Sequence, residues 1–281
     1  MTSAKLAGGS ILVAQAVDAF THPEWRRHGI FVGLGKVLLD DLGRRGVHIT
    51  YGIPNKAAMP GHEKLSWVIA HRIPRYVLLL DKTRALQSYR GSKSRALALR
   101  VASSVLSRRK KGVTDDGVSA VGAPEAWAVI EGLWMEVMAG YEFALDRNRE
   151  YLSWRYQADS GRHYAVMRKD VGGRTVAASV CGINSSGIGQ VAEMISEEGH
   201  GTETRSVLKH TVNHLRENGC HTVEAFVSTK NLERLFKSEG FMQVSKVPLI
   251  AHANDAEGAN QVGLLIRAER IMLSLGDSDL A

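Results

Sequence analysis

Arg26, Arg27, His28 and Gly29 stand together between an apolar run at 11–20 and a stretch of helical spacing that begins at Ile30. Two guanidiniums and a glycine before a helix point to anion binding. Successive backbone N–H groups at a helix N-terminus converge on one spot, and the helix dipole favours negative charge there. Gly29 lets the backbone approach a phosphate closely. Arg26 and Arg27 bring charge to the same place. Just upstream, Asp18 offers a carboxylate that could act as a general base. Its other reading is a turn cap or the partner of a nearby arginine.

The glycines of this stretch allow two familiar phosphate motifs to be tested. A Walker loop places a glycine five residues before Gly-Lys and a Ser or Thr after it. Around Gly35-Lys36 those positions hold Ile30 and Val37, so the motif is absent. A dinucleotide GxGxxG starting at Gly33 meets Leu38 where its third glycine belongs, and it lies inside the helix. Gly33 and Gly35 each cost the helix about 1 kcal/mol relative to Ala. Close packing of this helix on the sheet is the reason expected for them.

The surrounding elements must position this loop. Residues 11–20 read as a buried strand. Ile30, Leu34, Val37, Leu38 and Leu42 recur at helical spacing, and Gly46 stops the helix after basic residues. "HITYGI" alternates as a strand, a short helix follows, and "VIAHRIPRYVLLL" gives one or two further strands. Residues 84–111 read as helical and 108–126 as a linker. Beyond Trp127 come a helical opening with "NREYLSWRYQ", a hairpin turning at Gly172-Gly173 and a strand ending near Met194. A helix over 203–217, a strand over 221–228 and a helix over 230–239 complete it. The halves share a pattern of glycine-bounded helix, strand, asparagine and short helix, as a duplicated α/β unit would. Two unrelated units of a common type are the alternative.

Arg26-Arg27-His28-Gly29-Ile30-Phe31 resembles the acyl-CoA loop of the GNAT (N-acetyltransferase) superfamily, written Arg/Gln-x-x-Gly-x-Gly/Ala. "GIPN" after the next strand and "EKLSW" extend the resemblance; Phe31 departs from the small residue usual at its position. "EYLSWRY" and "SLGDSD" resemble segments of tandem bacterial GNAT proteins. The resemblance implies an α/β (α+β layered) fold of two GNAT-like acyl-CoA N-acyltransferase domains. These are a partial first domain at 1–82, a basic helix and linker at 83–126, and a degenerate second domain at 127–281. It implies acetyl-CoA as co-substrate, with backbone groups of Ala19, Phe20 and Thr21 facing the pantetheine arm and Asn55 beside it. The superfamily's thiolate-protonating tyrosine falls on His62, whose imidazole titrates near neutrality; its other reading is an exposed histidine at a helix start. Trp25 and Trp67 are expected to pack. No metal is expected.

About ten residues precede the strand leading into the loop, so the first domain is expected to lack its N-terminal strands and helices. Truncation of a longer protein is the favoured explanation. Cover of the open sheet edge by the second domain or by another subunit, as in a homo-oligomer, is a further one, and loss of catalysis a third. The second domain offers Glu193, Glu197, Glu198 and Glu203 over 191–204, with no Lys or Arg, where a pyrophosphate would be repelled.

The chain is 281 residues long, 44% hydrophobic and 23% charged, with no apolar run able to span a bilayer. Cys181 and Cys220 read as reduced and buried, and a cytoplasmic location is expected. Residues 82–111 hold ten Lys and Arg and no acid, so of the net +7 they leave −3 to the rest of the chain. Any nucleic-acid or membrane contact rests on that segment, and a solvated helix is the favoured reading of it. Three functions compete: an acetyl-CoA-dependent N-acetyltransferase acting on a small-molecule or peptide amine, a catalytically silent binding module, and an acyltransferase using aminoacyl-tRNA.

Overall fold

The computed structural model describes residues 1–17, 19–88, 117–122, 125–157 and 163–278. Asp18 and residues 89–116, which hold most of the basic segment, lie outside the described residues.

One twelve-stranded sheet runs through the protein. Its strands are β1 (Thr2–Leu6), β2 (Gly9–Ala16), β3 (Ile49–Gly52), β4 (Val68–Leu79), β5 (Val118–Val121), β6 (Phe143–Leu145), β7 (Tyr164–Val171), β8 (Arg174–Ile183), β9 (Ile188–Ser196), β10 (Thr222–Phe226), β11 (Met242–Ala253) and β12 (Ile271–Met272). Its spatial order is β12-β6-β1-β2-β3-β11-β4-β10-β9-β8-β7-β5. The described helices are α1 (Ile30–Arg44), α2 (Met59–Lys64), α3 (Lys82–Ser88), α4 (Glu125–Val137), α5 (Arg149–Arg155), α6 (Gly201–Glu217), α7 (Lys230–Ser238) and α8 (Ala256–Arg267).

Local chemistry explains several boundaries. α5 starts at Asn148, whose side chain accepts from Tyr151 N at 2.8 Å, and α8 at Asp255, which accepts from Gly258 N at 2.8 Å. The β7–β8 hairpin turns at Gly172-Gly173, both with positive φ, where the sequence places it. β2 is shorter than the expected 11–20 strand, because the chain folds back on β1 and leaves the ladder after Ala16.

One order of elements occurs twice. β2-α1-β3-α2-β4 is repeated as β9-α6-β10-α7-β11, and in each run the first two strands pair in parallel. The runs then exchange their last strands. β4 lies between β10 and β11, antiparallel to both, and β11 lies between β3 and β4. The Arg75–Glu224 ion pair, largely buried, ties β4 to β10. The exchange makes the sheet continuous from one half of the sequence to the other.

The sheet edge expected to stand open is covered from within the chain. β1 pairs with β6 on its outer side, and β6 with β12. The largest core cluster includes Val13 and Tyr51 from the first half with Trp134, Phe143 and Leu249 from the second. A second cluster fills the space under α6 and α7 through Val207, Leu208 and Phe236, with Tyr76 from β4.

Candidate functional site

The ladder between β2 and β3 ends at Ala16↔Gly52. Beyond it the chain passes exposed Ala19 and Phe20, a short 3-10 turn at Pro23–Trp25, and then enters α1. Gly29 is the N-cap of α1, with φ +78° and ψ 1°, in the left-handed region where glycine is free of the Cβ clash. Arg27 also has positive φ, +68°, which an ordinary residue adopts only at a cost. No side chain caps the helix start, and its first turn carries no acid. The first-turn N–H groups therefore face outward beside exposed Arg26, Arg27 and His28. Arg26 Nε donates to the Thr21 carbonyl at 3.1 Å, which folds the 21–26 loop back on itself. The His28 Nδ1–H donates to the Arg26 carbonyl at 3.0 Å.

Asn55 lies on the turn after β3. Its Oδ1 accepts from Ala57 N at 2.9 Å and Ala58 N at 3.0 Å, so the side chain shapes the entry to α2. His62 on α2 is 7% exposed. Its ring stands edge-on to Phe31, 5.2 Å between centroids, and to Trp67 at 4.7 Å. Burial lowers its pKa, so the imidazole is held neutral at pH 7. Among the described residues its Nδ1 has no hydrogen-bond partner, and neither has Trp67 Nε1. Phe31, the departure from the superfamily pattern, is thus the contact between α1 and α2. A Cβ at Gly61 would lie 2.5 Å from the Phe31 ring, and one at Gly35 2.6 Å from Leu65. Gly35 packs closely as expected, though against Leu65 rather than the sheet; Gly33 faces open space. Trp67 packs with Leu39 and Ile250. Trp25, expected to pack, is 59% exposed.

The corresponding turn of the second run has the opposite electrostatics. His200, the N-cap of α6, lies 3.8 Å from Glu197 and 3.6 Å from Glu203, and Glu203 occupies the first helical turn. A phosphate at this helix start would face two carboxylates.

A second polar cluster was not found by sequence reasoning. Arg147, fully buried, pairs with Glu193 at 3.0 Å and Asp277 at 2.7 Å, donates to the Leu145 carbonyl at 2.8 Å and lies 4.5 Å over the Trp134 ring. Tyr156 Oη donates to Glu193 at 2.8 Å, and Gln15 on β2 donates to the Asp277 backbone carbonyl at 2.8 Å. Burial raises the Glu193 pKa, with Arg147 opposing. The only signals in the sequence were "EYLSWRY" and "SLGDSD", which meet here. No group of His, Cys, Asp and Glu among the described residues forms a metal-binding set, and no described helix is long and apolar enough to cross a membrane.

The sequence matches no known family profile and no curated protein. Solved structures do match the fold. A GCN5-related N-acetyltransferase from Anabaena variabilis superposes with a TM-score of 0.62 at 10% identity, over 92% of this chain and 59% of its own. Saccharomyces cerevisiae N-myristoyltransferase, solved with myristoyl-CoA and inhibitors, gives 0.60 at 10% identity, over 90% of this chain and 63% of its own. A tandem GNAT protein from the clavulanic acid biosynthesis pathway gives 0.54 at 13% identity, over 87% and 76% respectively. The chain therefore has the GCN5-related N-acetyltransferase fold, and it spans 59% of the length of the first of these structures.

Proposed function

We propose that the protein is an acyl-CoA-dependent N-acyltransferase, acting with acetyl-CoA on an amine, and that its acyl-CoA site is the start of α1. Two GNAT-like units, 1–82 and 127–281, build it around the exchanged strands. One observation carries the reading. The loop that matches the acyl-CoA motif lies at an uncapped helix start, with Gly29 left-handed and two arginines beside it, beyond the open end of the β2–β3 pair. The N–H groups of the first α1 turn receive the pyrophosphate, and Arg26 and Arg27 add attraction. The pantetheine arm runs past Ala19, Phe20 and Thr21 toward Asn55 and lies between the diverging strands.

The chemistry is a direct transfer. The neutral amine attacks the thioester carbonyl carbon, the C–S bond breaks, and an amide and CoA thiolate form. A backbone N–H at the strand opening stabilises the developing oxyanion. Asp18 takes the proton lost by the amine. His62, enclosed and neutral, is assigned the packing of α2 on α1, and the thiolate takes its proton from solvent.

The test is turnover. Acetyl-CoA is incubated with the protein and a panel of amines: a polyamine, free amino acids, an amino-sugar nucleotide and a lysine peptide. Free CoA thiol and acetylated product are measured. Stoichiometric release of both on one class supports the proposal. Acetyl-CoA binding without turnover on any class would leave a binding module.

A further inference from the structure

In the second run the cleft between the parallel strands is already filled. β9 and β10 pair from Ile188↔Thr222 to Val191↔Ala225 and then part. β9 continues to Ser196 along β8, while the chain after β10 keeps to β4, Val227 N donating to the Pro74 carbonyl at 3.0 Å. This opening is the counterpart of the one beyond Ala16↔Gly52 in the first run. In the first run the chain that follows is exposed at Ala19 and Phe20. In the second, the C-terminal stretch 272–278 has entered.

Six observations fix that stretch. Leu273 N donates to Ser228 Oγ at 2.9 Å, just past the end of β10. A small cavity lies beside it, with Met272, Leu273 and Ser274 against Val191, Met194 and Phe226. Gly276 is lodged so closely that a Cβ there would lie 2.0 Å from Tyr156 Oη, 2.7 Å from Glu193 Oε1 and 3.1 Å from the Ala192 carbonyl of β9. Arg147 holds the side chains of Asp277 and Ser274. Arg155 donates to the Gly276 carbonyl at 2.6 Å and to that of Ser278. Met272, Leu273, Leu275 and Asp277 are each no more than 2% exposed.

We propose that residues 272–278 are a permanent intramolecular occupant of the second cleft, so that the chain has a single acyl-CoA site, at α1. Occupancy excludes a pantetheine arm between β9 and β10, and the carboxylates around His200 exclude its pyrophosphate. The inference deepens the acyl-CoA reading of α1 and rests on it for the count of one site.

Hydrogen exchange on the full chain, with and without acetyl-CoA, tests both parts. Without ligand, the Leu273 and Ser274 amides should exchange as slowly as those of β10. With acetyl-CoA, exchange should slow at 30–32 and stay unchanged at 201–203, with a calorimetric stoichiometry of one. Fast exchange at 273–274, or ligand protection at 201–203 with a stoichiometry of two, overturns the proposal. Slow exchange at 273–274 with no ligand effect anywhere supports the occupied cleft and refutes the acyl-CoA reading of α1 instead. In Gly276→Ala, where the new Cβ displaces the stretch, the 273–274 amides should lose their protection while those of β10 in the same chain keep theirs. Unchanged protection in that variant also counts against the proposal.

Discussion

Arg147 carries its charge where no water reaches it, and its two carboxylate partners lie 46 and 130 residues away. Nothing in their spacing announces the cluster, because a buried ion network is built by topology rather than by sequence neighbourhood. Arg147→Met would leave Glu193 and Asp277 buried without their cation. A loss of about 3–5 kcal/mol is expected in denaturant unfolding; a loss under 1 kcal/mol would mean the pairs hold little. His62 makes a pH prediction of the opposite legibility, since its position was readable but its burial was not. Its folded pKa is lowered. Its contribution is therefore present above the unfolded value, about 6.5, and is lost as pH falls toward the folded value. Stability should decline between pH 7.5 and 5.5, by at most about 1.4 kcal/mol per pH unit from this group. His62→Phe should flatten that slope, and an identical slope in the variant would show that other groups cause it.

The crossing of α1 and α2 depends on glycines that let Phe31 and Leu65 come close. Gly61→Ala forces the Phe31 ring to move, and overpacking of this kind costs about 1–3 kcal/mol. Because Phe31 lies in the first turn of α1, the same variant should weaken acetyl-CoA affinity more than its stability loss alone explains. Comparing the affinity of the folded variant with the parent checks this. Most of the helices, the β7–β8 hairpin and the parallel strands were legible, since each carries its own periodicity or turn chemistry. β1, β6, β11, β12 and α8 were not identified, and the stretch read as a linker over 108–126 holds strand β5, paired with β7, and the start of α4. β11 is exposed along its first half and buried only from Leu249 to Ala251, and it contains Pro248. Such a strand shows neither the alternation of a half-buried strand nor the apolar run of a central one, because its burial is set by neighbours from the other half of the sequence.

The exchange of β4 and β11 makes one folding unit of what the sequence presents as two. Arg75 and Glu224 sit at the seam of that exchange. Unfolding of the full chain should be a single transition, with tryptophan fluorescence and circular dichroism giving the same midpoint. Arg75→Ala should lower that midpoint for both probes together; separate midpoints would mean that the halves fold independently. The repeat of elements was legible from the glycine and asparagine positions it shares, whereas the exchange and the covering of β1 by β6 involve pairings too distant to leave a local pattern. The central claim concerns the one helix start where backbone, charge and fold agree. Its most direct test is calorimetric titration of acetyl-CoA into the parent and into Gly29→Glu, whose side chain would put a negative charge at the proposed phosphate position. Saturable binding by the parent, lost in a Gly29→Glu protein that still unfolds cooperatively, is the predicted result. Absence of binding by the parent, or equal binding by both, would contradict it.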